Sequence, residues 1–477
     1  MTIPADWQVD ALFDNADKDK GDAVTLTLDG ELDVDIGWIN RFSFGLRWDD
    51  RGAEENERRQ SAPPLLQPLS NFDVRLIHTN SGFFDGRANM PTSWIAADGH
   101  FLYANRDEFR VIFNGIDPNF QTTDQLGFTK LFEVDEVTTA LYAQADFATE
   151  IGGRTLDGQF GVRYVDVETD MTFGSGAASA SASKALPNFM VRLAITEDWI
   201  ARLSYGQTLR RPDFADLNPN INLLPDVTEI GRGTAVGGNP NLKPTESTNI
   251  DLSVEWYFAD SSSLYATLFK RDIEGFVVPS NSFFVFENPD NPSDPNNGDY
   301  ILTIPNNTSN GKLDGFELGL VWFPESLPGF LDGFGVQASF TSLDSSQDLP
   351  TEFDDDGRVV ATQNSPLFSV SDTSYSIVLA YDKGSFDARL SYVWREAFKL
   401  DNDAPIFANP LARYSSDEES LDFQLSYHAT ESLVFTFDAT NITDQVFQTN
   451  YGRRSNLMNF GSSIFSKTYA LGVRYSF

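Results

Sequence analysis

Connections between the predicted strands alternate between short and long along nearly the whole chain, and this rhythm constrains the fold more than any single motif. Short connections lie near 36–38, 149–156, 196–198, 259–262, 325–330, 382–384 and 429–431; long ones lie at 52–131, 171–184, 210–246, 277–311, 344–370, 397–419 and 441–465. About fifteen strands result. All strand ends on one side are trimmed, and all on the other are elaborated. A transmembrane antiparallel β-barrel has this asymmetry, with short periplasmic turns and long extracellular loops. A water-soluble sandwich has no reason for it, and no means of closing so many edges.

The strands repeat the argument residue by residue. In 247–258, Ile250, Leu252, Val254, Trp256 and Phe258 share one face, opposite Asn249, Asp251, Ser253, Glu255 and Tyr257. The last stretch does the same, with Tyr469, Leu471, Val473, Tyr475 and Phe477 against Thr468, Ala470, Gly472, Arg474 and Ser476. Period two is the mark of a strand. Arg47, Arg163 and Arg474 each follow a glycine by two residues on the non-apolar face. Such charges are costly in a packed core and cheap in a water-filled lumen. The apolar face is therefore expected in lipid. Charge adds an exclusion: 70 acidic against 34 basic residues give a net charge of -36, which argues against a nucleic-acid partner. There is no cysteine, and the only histidines, His78, His100 and His428, have no metal-ligand spacing. No cofactor and no enzymatic activity is expected. The acidic segment with Asp14, Asp17, Asp19 and Asp22 lacks the spacing of a calcium loop and reads as solvated, as does the loop with Asp354, Asp355 and Asp356. The Ser/Ala-rich stretch 172–184 reads as flexible, and 52–130 as a large surface loop or a small inserted element.

Four segments carry a resemblance: Tyr205 to Pro219 with Arg211-Pro212, Gly238 to Asn249 with Asn239-Pro240 and Lys243-Pro244, Asn441-Ile-Thr-Asp444, and the ending Gly472 to Phe477. Together with the hairpin rhythm they resemble the C-terminal part of a TonB-dependent outer-membrane receptor, over almost the whole chain from about residue 23. Residues 1–22 read as the remnant of a preceding loop and 23–477 as the barrel domain. The resemblance implies an outer-membrane location, lipid and the barrel assembly machinery as partners, and active uptake of a scarce nutrient driven by the TonB energy-transducing complex. An oligosaccharide or other organic ligand is favoured over an iron chelate. A passive or adhesive barrel is the alternative. Structural or assembly roles, rather than ligand contacts, are expected for Arg211, Pro212, Asn239, Pro240, Lys243, Pro244, Asn441, Asp444 and Phe477. The family's signal peptide, coupling box and plug are not visible in this sequence. Barrels of plugged transporters have about 22 strands, so about fifteen imply a partial barrel, whose last strand lacks its natural partner and which cannot transport alone.

Overall fold

The computed structural model describes all residues except 1, 63, 88, 124–126, 175, 227–231, 354–358, 404–410 and 453–458. The acidic loop at Asp354, Asp355 and Asp356 lies outside the described residues. The chain forms two compact units. The larger comprises 25–50, 137–169 and 179–477, and carries the barrel sheet. The barrel strands are β1 (Ala16–Ile36), β2 (Ile39–Arg58), β3 (Thr129–Ile151), β4 (Arg154–Phe173), β5 (Gly176–Ala194), β6 (Trp199–Arg210), β7 (Thr245–Ala259) and β8 (Ser262–Phe286). They continue as β9 (Gly298–Trp322), β10 (Phe334–Phe353), β11 (Thr373–Lys383), β12 (Phe386–Arg395), β13 (Glu418–Thr430), β14 (Leu433–Thr440) and β15 (Thr468–Tyr475). From β5 to β15 each strand pairs antiparallel with the next. Among the described residues no helix is long and apolar enough to cross a membrane, which leaves β-strand crossing untouched.

Alternation sets which way each side chain points. On β7, Ile250, Leu252 and Trp256 are exposed, as lipid-facing side chains must be, while Glu255 on the other face meets Arg202 across the strand pair. Aromatic residues cluster at both ends of the apolar band. At the short-turn end Trp199 stacks on Trp256 at 5.3 Å, Phe334 lies 4.8 Å from Tyr381, and Phe386 lies 4.9 Å from Tyr427. At the other end Tyr375 stacks on Trp394 at 5.2 Å. Two such belts are what interfacial headgroup layers select. Glycines on the lumen face make room for rings: a Cβ at Gly319 would come within 2.1 Å of the Tyr265 ring, directly opposite.

The strands belong to one closed barrel in topology. This is in keeping with the cost of an unpaired edge in lipid. Cover along the sheet is nonetheless uneven. Leu252 in mid-sheet is 44% exposed, against 72% for Leu28 on β1 and 86% for Leu471 on β15. Side-chain cover is the more direct measure of a seam, since a residue flanked on both sides loses surface to both neighbours. By that measure the first and last strands are the thinly covered ones.

One expectation is corrected, and one open alternative is decided. The stretch 172–184 is mostly strand: β4 runs to Phe173 and β5 starts at Gly176. Exposure alternates along Gly176–Ala185, but Ala and Ser are too alike in size and polarity for that period to show in the sequence. For the segment after β2, read as a large surface loop or a small inserted element, the structure shows the second. It belongs to the smaller unit, 1–24, 51–136 and 170–178, and contains helices α1 (Gly99–Ala104) and α2 (Arg106–Asn114). Asp98 caps α1 by accepting from the Phe101 amide at 2.7 Å. Leu69, Leu76, Ile95 and Phe109 form its core. Residues 1–22 contain a short strand at Gln8–Val9 and the start of β1.

Candidate functional site

The lumen wall is built from charged and polar side chains that the sheet register brings together in rows. Arg192 on β5 and Arg202 on β6 are directly opposite. Each avoids the repulsion by turning to an acid on its other side: Arg192 reaches Asp157 at 2.7 Å, and Arg202 reaches Glu255 at 2.7 Å. The Tyr257 hydroxyl donates to the second Glu255 oxygen at 2.8 Å. Arg271 pairs with Asp251 at 2.5 Å one row further on. These pairs are half-exposed, so the wall is hydrated and its charges are balanced locally.

At the long-loop end, two strands from each of two loops form a separate four-stranded sheet: Phe398–Asp403, Leu411–Ser415, Val446–Tyr451 and Asn459–Ile464. Between this sheet and the outer ends of β12 and β13 lies a cavity of about 380 Å³. Its floor is the ion pair of Arg395 and Glu418, opposite one another in register, with Nε and Nη2 donating to Glu418 at 2.8 and 2.5 Å. Ser415 Oγ donates to the other Glu418 oxygen at 2.9 Å. The guanidinium lies 4.4 Å from the Phe398 ring centre. Among the described residues Arg395 Nη1 has no hydrogen-bond partner, and it shares the cavity with Ser369, Ser463 and Phe447. The carboxylate is thus consumed internally, while one cationic donor, hydroxyls and two rings remain for a guest. Lys399, beside Phe398, turns away into the loop layer, where burial holds its ammonium below the usual lysine range and Ser365 Oγ accepts from it at 2.9 Å.

The motif residues lie elsewhere: eight are on the long-loop side, and Phe477 is at the short-turn end, where the neighbouring Ser476 amide donates to Ser432 O at 2.9 Å. Arg211 Nη1 donates to Thr138 Oγ1 at 2.5 Å, and Arg211-Pro212 borders a second cavity of about 330 Å³ with Asp213 and Asp216. Burial, with help from Asp213, raises the Asp216 carboxyl above its ordinary value. Asn239 Nδ2 donates to Pro305 O at 3.1 Å and to Asn306 Oδ1 at 2.9 Å, and the Lys243 amide donates to Asn307 Oδ1 at 2.7 Å. The Asn239-Pro240 and Lys243-Pro244 steps are thereby fastened to the outer part of β9. Asn441 and Asp444 both hold positive φ, 53° and 57°. The Asn441 side chain donates to Ser466 O at 3.0 Å and accepts from the Gln445 amide at 3.0 Å, so it folds the turn that follows β14. Phe477 is fully exposed beyond β15. None of these nine lines the mouth cavity. Arg395 and Glu418 were not singled out in the sequence, although Arg395 closes a run of alternation and Glu418 opens one. Among the described residues no group of acids or histidines is placed to hold a metal ion.

Comparison with known proteins agrees with this architecture. A search of curated proteins finds no match. The siderophore receptor PiuA from Acinetobacter baumannii has 13% identity and a TM-score of 0.54, with 97% of this chain and 56% of that chain covered. The copper transporter OprC gives 14%, 0.55, 97% and 57%, and the ferric citrate transporter FecA 11%, 0.56, 96% and 55%, in the same order. The chain thus spans about half the length of the solved structures it matches. At these identities the likeness is one of fold. It overturns the preference for an oligosaccharide: the cargoes named for these similar proteins are siderophores, ferric citrate and copper. The preference rested on the general style of the chain, which contains no ligand contact. A model of the TonB-dependent receptor-like β-barrel matches residues 3–442, so the chain belongs to that outer-membrane family.

Proposed function

We propose that this barrel is the membrane-spanning part of a receptor that takes up a metal chelate across the outer membrane, with energy delivered from the periplasm by TonB and insertion performed by the barrel assembly machinery. The observation that carries the choice of ligand is the mouth cavity on the lumen side. A free guanidinium donor, two hydroxyls and two phenyl rings suit a planar, oxygen-rich chelating group, such as a hydroxamate or catecholate, better than a bare cation or a lipid. The cargoes of proteins with the same fold agree with this reading. We read the nine motif residues as structural: each fastens a loop or ends a strand, and none faces the cavity.

The test is a fluorescence titration of outer-membrane preparations with ferric hydroxamate and ferric catecholate chelates. Saturable binding of one class is expected, and Arg395→Gln is expected to weaken it by roughly tenfold, as loss of one hydrogen bond from a charged donor implies. Affinity unchanged by Arg395→Gln, or binding of neutral oligosaccharides alone, would defeat the reading.

A further inference from the structure

One short-side connection is unlike the rest. The turns after β1, β3, β7, β11 and β13 are two residues long, whereas β9 and β10 are joined by residues 323–333. This segment reads Phe-Pro-Glu-Ser-Leu-Pro-Gly-Phe-Leu-Asp-Gly, with one 3-10 turn at Gly329–Leu331. Its side chains are unusually apolar for a turn facing water, and Phe330 is 77% exposed with Leu331 exposed beside it.

The side of the wall it lies on can be read from its tethers. Phe323 begins on the lumen face, where a Cβ at Gly335 would come within 2.2 Å of its ring. The far end is held from the opposite face. Lys383 is paired with Phe386, so it shares the lipid face with Phe386 and Tyr381. From there Nζ reaches Asp332 at 3.1 Å and Gly329 O at 3.1 Å. The Asp382 amide donates to Gly333 O at 2.9 Å, and Gly333 holds φ +98°, with a Cβ there falling 2.6 Å from Asp382 O. Gly329 holds φ +63°. The two glycines thus permit a crossing from the lumen side, over the rim, to the lipid side. Phe330 and Leu331 sit between Gly329 and Asp332, both held by Lys383, which continues the belt formed by Phe334, Tyr381, Phe386 and Tyr427.

We infer that residues 329–331 form an interfacial anchor, with Phe330 and Leu331 inserted at the headgroup–acyl boundary of the periplasmic leaflet and Lys383 latching the segment through Asp332. An exposed apolar turn continuous with an aromatic belt has a lipid surface as its natural cover, and the ammonium at the rim suits phosphate headgroups.

The absence of cysteine makes the test direct. Phe330→Cys, Ser326→Cys and Phe334→Cys are made in this 477-residue chain, reconstituted in phosphatidylethanolamine–phosphatidylglycerol vesicles, and labelled with an environment-sensitive dye. Preparations are used in which position 334 is quenched by spin-labelled lipid, which establishes insertion. The expected result is quenching at 330 by a shallow spin label, as at 334, while 326 responds to aqueous iodide instead. Lys383→Ala is expected to move the signal at 330 towards water without changing that at 334. A label at 330 that behaves like 326, quenched by iodide and silent to lipid, overturns the inference. So does one shielded from both, which would mean protein cover.

Discussion

Ion pairs do different work in the two units. In the smaller unit Asp14 accepts from Arg110 Nε at 2.8 Å, from Arg58 Nη2 at 2.8 Å and from Gln60 Nε2 at 2.7 Å, and Arg110 is only 1% exposed. In the larger unit the Arg192–Asp157 and Arg202–Glu255 pairs line a hydrated wall. The chemistry is the same, but the solvent differs. A buried arginine that loses its acid keeps the full cost of desolvation, whereas one in a wet lumen recovers most of it from water. The contrast shows that one network specifies a local fold, while the other keeps a wall soluble and smooth in charge.

The sharpest way to break this contrast is Asp14→Ala, which removes the acid shared by Arg110 and Arg58 and leaves Arg110 its Nη1 bond to the exposed Asp107 at 3.0 Å. Destabilisation of about 3–5 kcal/mol is expected for breaking such a pair, read as rapid proteolysis within 59–128 while the barrel remains resistant; an unchanged cleavage pattern would put the two networks on a par. Acid gives a smaller, graded version. Burial alone would raise the Asp14 carboxyl, but hydrogen bonds from Arg110 and Gln60 and the charges of Arg110 and Arg58 bring it below its ordinary 3.8. A lowered folded value means stability present above the unfolded value and lost as pH falls through the folded one. Protease sensitivity of 59–128 should therefore rise only below about pH 4. The least effect belongs to the wall: Arg202→Gln should change barrel stability by about 0–1 kcal/mol, measured as urea-induced unfolding in vesicles, and a larger loss would erase the distinction.

These two regions also differ in how much of them could be read beforehand. The wall was legible because a strand exposed to lipid on one side and water on the other must alternate in polarity, as 247–258 does. The inserted element was not, because its core joins Leu69, Leu76, Ile95 and Phe109 through short helices and turns with no sustained period. Asp14 looked like one member of a solvated acidic run, and its partners are 44 and 96 residues away. The mouth cavity was hidden for a related reason: its sheet is drawn from two loops that look irregular one at a time. The Asn239 and Asn441 motifs stand out through their resemblance and turn chemistry, but their hydrogen-bond partners, Asn306 and Ser466, are 67 and 25 residues away and carry no local signal.

Strand length has a last consequence. β8 and β9 are 25 residues each, about 80 Å of extended chain at ~3.3 Å per residue. Tilted by ~45° they rise about 55 Å, against a hydrocarbon layer of ~30 Å. Their far end, with Phe283 and Val285 exposed, stands well clear of the membrane. An antibody is too wide to enter the bore, so this hairpin is the surface by which it would recognise an intact cell, and an epitope placed there would report insertion without touching the route of transport.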